Sequence, residues 1–184
     1  MRKINIPTDC AHHLFFRILL VLIIKTTYMI GNLNYQETEE VLQDQLIGRI
    51  GCHSNGVTYI VPVSYAYDEP YVYIHSIEGK KIDMMRNNPE VCFEVDALND
   101  MANWKSVIAR GTFAELTGTE ERNKALKILL DRSLPIVSSE KTHLGRDWPF
   151  TNDANEIEGV FYRIELKEKT GKFESSYYSP AYNG

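Results

Sequence analysis

The sequence predicts a mainly β fold: an antiparallel barrel of six strands with helices on its outside. Three observations carry this. Six runs rich in β-branched and aromatic residues fall between residues 47 and 169, the composition that suits a pleated, half-buried surface. Turn residues join several of them directly, and hairpin-linked strands close into an antiparallel barrel more readily than into a parallel sheet. No long alternation of strand and helix occurs. Neither GxGxxG nor GxxxxGK is present, so dinucleotide-binding and P-loop readings have no support.

Taken in order, residues 36–47 read as a short amphipathic helix, with acids in its first turn and Val41, Leu42, Gln45 and Leu46 toward the core. Residues 47–53 read as a strand, and Ser54-Asn55-Gly56 as a hairpin turn. Residues 57–67 form a long β-rich run interrupted by Pro62, which places it at a sheet edge or a bulge. Residues 71–76 are a further strand. From Lys80 the pattern is helical, with Ile82 and Met85 on one side, until Asn87-Asn88-Pro89 stops it. Residues 91–96 and 104–116 are strands around a loop at 97–103, and Gly111 marks a bend or bulge in the second. A helix runs over 119–131, with Ala125, Leu126, Leu129 and Leu130 on its apolar side. Residues 133–158 are irregular and contain His143, Arg146 and Trp148. The last strand spans 159–169, and residues 173–184 form a polar, loose tail.

The 184 residues make about one domain, of which 43% are hydrophobic and 24% charged, ordinary values for a soluble globular protein. The net charge of −5, with no basic cluster, argues against a nucleic-acid surface. The first 28 residues differ. They hold an apolar run over 14–24, four basic residues and one acid, leaving −8 on the remainder. The run is broken by Arg17 and too short to span a membrane comfortably. Three readings fit residues 1–28: sequence upstream of a true start at Met29, a signal-like segment without a clear cleavage site, or an ordered part of the fold. No membrane association is expected of the domain at 29–172.

Cys10, Cys52 and Cys92 are widely spaced and form no CxxC pair, which fits reduced thiols and a cytoplasmic compartment. His12-His13 lacks companion ligands, so no metal site is expected. Cys52 and His53 are adjacent on a strand, point to opposite faces and make no dyad.

The stretch most suggestive of chemistry is 71–89. It ends a strand with His75 and Ser76, turns at Glu78-Gly79, and starts a helix with Lys80 and Lys81. Amides and the helix dipole favour an anion at a helix N-terminus, and two lysines add full charges. A phosphate-bearing ligand suits that place. The plain alternative is a pair of solvated lysines beside a polar strand end.

Four segments in succession resemble the pyridoxamine 5′-phosphate oxidase-like flavoproteins, and within them the nitroimidazole-resistance branch. They are Tyr59-Ile-Val-Pro-Val-Ser-Tyr65, Tyr73-Ile-His-Ser-Ile-Glu-Gly-Lys-Lys81, Asn88-Pro-Glu-Val-Cys-Phe-Glu-Val95 and Trp104-Lys-Ser-Val-Ile-Ala-Arg-Gly111. The resemblance implies a split β-barrel homodimer with a flavin, FMN or alternatively FAD, in each interface cleft. By motif, Pro62, Val63, Ser64 and Tyr65 would line the isoalloxazine with their backbone, and His75 and Ser76 would sit beside it. Lys80 and Lys81 would hold the phosphate. Trp104 and Ser106 would lie near the same cleft, from either subunit. His75 would be the catalytic residue. The chain lacks the C-terminal motif that binds pyridoxal phosphate in the true oxidases. The function this implies is flavin-dependent reduction of a small molecule such as a nitroaromatic. The alternatives are a flavin carrier or sensor without turnover, and a haem or deazaflavin in the same cleft. Trp104 also fits a plain barrel role, and Arg110 a surface ion pair.

Overall fold

The computed structural model describes residues 27–132 and 153–177. Its strands are β1 (Thr27–Asn32), β2 (Ile47–Ser54), β3 (Val57–Ser64), β4 (Ala66–Asp68), β5 (Tyr71–Ser76), β6 (Glu90–Asp100), β7 (Asn103–Glu115) and β8 (Val160–Tyr177). Its α-helices are α1 (Tyr35–Asp44), α2 (Lys80–Asn87) and α3 (Thr119–Asp131), and a 3₁₀ turn covers Ala154–Glu156.

The strands pair in the order β3-β2-β6-β7-β8-β5-β4, with β1 added to the far half of β8. All pairings are antiparallel. The sheet curls so that β3 returns against β5 without forming a ladder. That gap is the split in the barrel. Val72, Ile74, Ile50, Phe93, Val95, Val107 and Ile164 fill the interior, and all are essentially inaccessible. A second cluster lies outside the barrel, where Tyr73 and Phe161 pack against Ala125, Leu126 and Leu129 of α3.

Among the described residues, eight strands replace the predicted six. The long run at 57–67 divides at Tyr65, whose side chain turns inward, meets Phe93 edge-on at 5.1 Å and donates its hydroxyl to Leu42 O at 2.8 Å. The predicted loop at 97–103 is a tight hairpin instead. Asp100 Oδ1 accepts from Ala102 N at 2.8 Å and from Asn103 Nδ2 at 3.0 Å, so the turn needs only residues 101–102. At the chain ends, β1 pairs Thr27 with Tyr177 through Asn32 with Lys172. Residues 173–177, read as loose tail, therefore continue β8, and residues 27–28, read as part of the extension, belong to β1. His12, His13, Cys10, His143, Arg146 and Trp148 lie outside the described residues.

The hairpin expected at Ser54-Asn55-Gly56 is present between β2 and β3. Asn55 and Gly56 both take positive φ, 51° and 76°, as a two-residue turn of the primed type requires. Helix α1 starts with a capping box: Asn34 Oδ1 accepts from Glu37 N, and Glu37 accepts from Asn34 N. Among the described residues, no helix is long and apolar enough to cross a membrane.

Gly111 sits at the irregularity in the β7–β8 ladder, where the register shifts between Arg110 and Gly111. A Cβ there would stand 2.6 Å from Ile164 Cγ2 and 2.7 Å from Glu165 O. The backbone atom cannot swing aside as a side chain end would. Gly111→Ala should therefore cost about 1–3 kcal/mol, the usual range for overpacking, read as a lower urea midpoint with an unchanged slope.

Candidate functional site

The split between β3 and β5 collects most of the predicted site residues. β3 is an edge strand, bonded to β2 alone. Pro62 stands opposite Arg49 of β2, and a proline is tolerated in a sheet where its nitrogen faces away from the partner strand. The backbone groups of Ile60 and Ser64 share that outward side. The expected free edge at Pro62 is thus present. The side chains alternate as the pleat demands: Pro62 and Ser64 are exposed, whereas Val63 is buried in the barrel.

Across the split, β5 brings up Ser76 and the turn before α2. The N-cap of α2 is Gly79, which offers no side chain to the first-turn amides. Ile82 N and Asp83 N both bond to Gly79 O, at 2.9 and 3.2 Å. The amides of Lys80 and Lys81 precede the first intrahelical bond and point out of the helix. Lys80 is exposed, with Nζ 4.8 Å from the centre of the Tyr59 ring on β3. Lys81 is half-buried. Burial pulls its pKa below the ordinary lysine value, with the Cys52 sulfur acting the other way. Among the described residues neither lysine forms an ion pair.

Arg86, in the last turn of α2, fixes this corner. It grips Glu78 with Nη1 and Nη2 at 2.9 and 2.8 Å, and Glu115 of β7 with Nε and Nη2 at 2.8 and 2.9 Å. One guanidinium thus ties the turn before the helix to the barrel wall. The geometry is bidentate on both sides, the arrangement in which an exposed ion pair can matter.

Beneath the lysines lie Cys52 and Tyr162. Cys52 is 1% exposed, and burial pushes its thiol pKa up, against the pull of Lys80 and Lys81. Tyr162 of β8 stands opposite Ile74 in register. Its buried hydroxyl has no well-aligned hydrogen-bond partner among the described residues, although the Ser76 hydroxyl lies within its reach. Burial raises its pKa, and the Ser76 hydroxyl beside it opposes the rise. A buried hydroxyl without a well-aligned partner, two cations outside any ion pair among the described residues, and open amides form a coherent set. They suit an anionic ligand with further hydrogen-bonding groups.

His75 is placed differently from Ser76. It shares the face of Tyr73, away from the barrel interior, and is 9% exposed. Its ring lies 4.6 Å from that of Phe161, and Nε2 is 2.8 Å from Glu158 O. A carbonyl only accepts, so Nε2 carries the proton. Gly159 permits the approach: its φ is 109°, and a Cβ there would stand 2.9 Å from Nε2 and 2.7 Å from Ser76 O. Burial first, then the charges of Arg122 and Lys81, pulls the His75 pKa below its ordinary 6.5, with the Glu158 bond opposing.

Trp104 and Ser106 are not brought to this corner within one chain. Trp104 pairs with Glu174 at one end of the β7–β8 ladder, while Glu115 pairs with Tyr162 at the other. Eleven residue steps of strand separate Trp104 from Glu115, up to about 37 Å. Trp104 Nε1 donates to Glu174 Oε2 at 3.0 Å. Cys52 and His53 do point apart: Cys52 is buried, while His53 is exposed and bonds Thr58 at 3.0 Å. Arg110 pairs with Glu168 at 3.3 Å on the exposed surface. Sequence reasoning missed Tyr162 and Cys52 as neighbours of the site. Both reach it through long-range packing, which no local motif announces.

A family profile for pyridoxamine 5′-phosphate oxidase matches residues 34–173. A FAD-binding protein of Mesorhizobium loti has a similar solved structure, with a TM-score of 0.62 and 31% identity over 81% of this chain and 99% of that one. A proposed 5-nitroimidazole antibiotic resistance protein from Bacteroides thetaiotaomicron shares the fold, with a TM-score of 0.60 and 19% identity over 82% and 90% of the two chains. An uncharacterised protein of Rhizobium meliloti is 29% identical over 74% of this chain and 90% of its own length.

The neutral state of His75 has a consequence for stability. Its folded pKa lies below the unfolded value, so the unfolded chain binds more protons as the pH falls toward and below about 6.5. Acidification from pH 7.5 to 5.5 should therefore lower the Tm, and His75→Gln should flatten that dependence. Glu94, pushed up by burial beside Asp96, drifts oppositely in both proteins and cancels in the comparison. Parallel Tm–pH curves would refute the assignment.

Proposed function

The chain belongs to the pyridoxamine 5′-phosphate oxidase-like family, and on that premise we propose that it is a flavin-binding oxidoreductase that reduces a small substrate, such as a nitroimidazole or another nitroaromatic. FMN is the cofactor of this reading, with FAD as the alternative. The observation that carries it is Lys81: a half-buried ammonium, at a helix N-terminus, that forms no ion pair among the described residues. Burying an unpaired charge is costly, and a phosphate group removes the cost. The similarity to a FAD-binding protein supports the same reading.

In this reading Lys81, Lys80 and the first amides of α2 hold the phosphate through charge-assisted bonds. The outward backbone from Pro62 to Tyr65 lines the ring, Ser76 and the Tyr162 hydroxyl supply polar contacts, and Val63 excludes water from below. A bound flavin would supply the two-electron chemistry, which the protein positions and tunes. His75 enters as a neutral ring that ties the end of β5 to residue 158. A proton-donor role, as expected from sequence, would need a ring that is charged and turned toward the cleft.

A homodimer completes the site. Trp104 and Ser106 share the outward side of β7 with Ile108 and Arg110 by strand alternation. The same outer sheet face exposes Ile47 (63%), Ile60 (66%) and Ile108 (48%). Exposed apolar surface rimmed by charges marks interaction sites, and a twofold pair is the commonest assembly. Light scattering at micromolar concentration should give twice the chain mass; a flavin-loaded monomer would contradict this.

The main test separates the phosphate from the ring. Lys81→Ala should weaken FMN binding by roughly ten- to hundredfold, equivalent to about 1.5–3 kcal/mol, and leave riboflavin affinity nearly unchanged. Equal FMN affinities for the two proteins at fixed salt would remove the site assignment. Anaerobic oxidation of a reduced nicotinamide in the presence of a nitroaromatic distinguishes an enzyme from a flavin carrier.

A further inference from the structure

The C-terminal end of α3 reaches the same strand edge from behind. Arg132, immediately after the helix, donates from Nη1 to Ser64 Oγ and to Tyr65 O, both at 2.7 Å, and from Nε to Leu129 O at 3.0 Å. Its acceptors are all neutral, and among the described residues it forms no ion pair. Half-buried guanidinium groups are ordinarily matched to carboxylates, because five donors and a full charge need strong acceptors. Here the charge is spent on one hydroxyl and two carbonyls, two of the three at the junction of β3 and β4. Tyr65 is held from three directions: Arg132 at its carbonyl, Leu46 O at its amide (3.1 Å) and Leu42 O at its hydroxyl. A cleft of about 410 Å³, lined by Tyr65, Ala66, Lys124, Lys127 and Arg132 among others, opens at the same junction.

Resting on the flavin reading above, we propose that Arg132 is a positioning residue for the cofactor ring: it fixes the Ser64–Tyr65 backbone that lines the isoalloxazine and sets a positive charge behind it. Two effects follow from one side chain. The clamp removes freedom from the edge segment before a ligand arrives, which favours binding by pre-organisation. The charge stabilises a ring that gains electron density on reduction, as fixed charges do wherever charge develops. The second effect distinguishes Arg132 from a residue that merely holds α3 in place.

The experiment titrates wild type, Arg132→Gln, Arg132→Lys and Ser64→Ala with FMN and with riboflavin, and measures the midpoint potential of each flavin-loaded protein. Arg132→Gln is expected to weaken both flavins alike, by about tenfold, the usual effect of losing one charged hydrogen bond. It should also lower the midpoint potential and shift the flavin absorption. Arg132→Lys restores the potential more than the affinity, because it returns the charge without the fork. Ser64→Ala leaves α3 untouched and shifts affinity in the same direction by less, so the proposal stays testable if Arg132→Gln fails to fold. Normal flavin uptake with wild-type affinity and potential in Arg132→Gln or Ser64→Ala overturns the role of Arg132 alone. No flavin uptake by the wild-type protein overturns the cofactor reading and this proposal with it.

Discussion

The fold depends on one strand serving three neighbours. β8 pairs with β7 along one edge for most of its length, and with β5 and then β1 along the other. A strand of 18 residues cannot stay straight and remain within a small barrel. The irregularity at Arg110/Gly111 absorbs the bend by an extra residue and a stronger local twist, as β-bulges do. Because Gly111 has no side chain, Ile164 and the Glu165 carbonyl come close at that point. The β5 side of the site is hung from the near half of β8 and the two residues before it: Tyr162 under Ser76, Phe161 under His75, and residues 158–159 against the end of β5.

The polar chemistry is sorted by which side of β5 it faces. On the barrel side, Ser76 meets Tyr162, with Lys81 and Cys52 nearby, a corner short of partners. On the helix side, His75 lies against Phe161 and is bonded to Glu158 O, beneath α3. Adjacent residues of a strand point in opposite directions, so a His-Ser pair at a strand end divides its labour. The lysines divide theirs too, since neighbours on a helix are about 100° apart. Lys81 turns into the corner, and Lys80 lies over Tyr59 on the opposite lip. Two nearby carboxylates are engaged elsewhere: Glu78 and Glu115 both belong to Arg86.

Much of this was legible in the sequence because it was local. Pro62 announced an edge, Asn55-Gly56 a hairpin, Gly111 a bulge, and Asn88-Pro89 a helix stop, each through a backbone preference of its own residue. The capping box at Asn34 and Glu37 was equally local and passed unread, which displaced the start of α1 by one residue. What the sequence withheld was long-range. Tyr65 reads as one more aromatic in a β run, and only its inward turn onto Phe93 divides that run in two. The face chosen by His75 depends on α3 covering one side of β5, which no spacing near His75 encodes. Arg132 ends a helix 67 residues from the backbone it holds. β1 has no strong strand signature, and owes its existence to the unpaired far half of β8.

An open strand edge invites pairing with other chains, so proteins blunt edges wherever they can. Among the described residues β1, β3 and β4 each pair on one side only, and the last two are protected differently. β4 is three residues long and lies between α1 and α3. β3 is eight residues long and faces the split. Its protection is point by point: Pro62 offers no donor, Ser64 is tied back to Arg132, and Lys80 sets a charge over Tyr59. None of these devices covers the edge; each only makes it unfit for a continuous ladder. A row of backbone groups that refuses another strand but stays reachable is suited to a flat ligand read by main-chain contacts. With the uncompensated Lys81 at one end and the Arg132 clamp at the other, that edge has a polarity along its length. In the flavin reading proposed above, the ligand's anionic group lies toward α2 and its ring toward Ser64 and Tyr65.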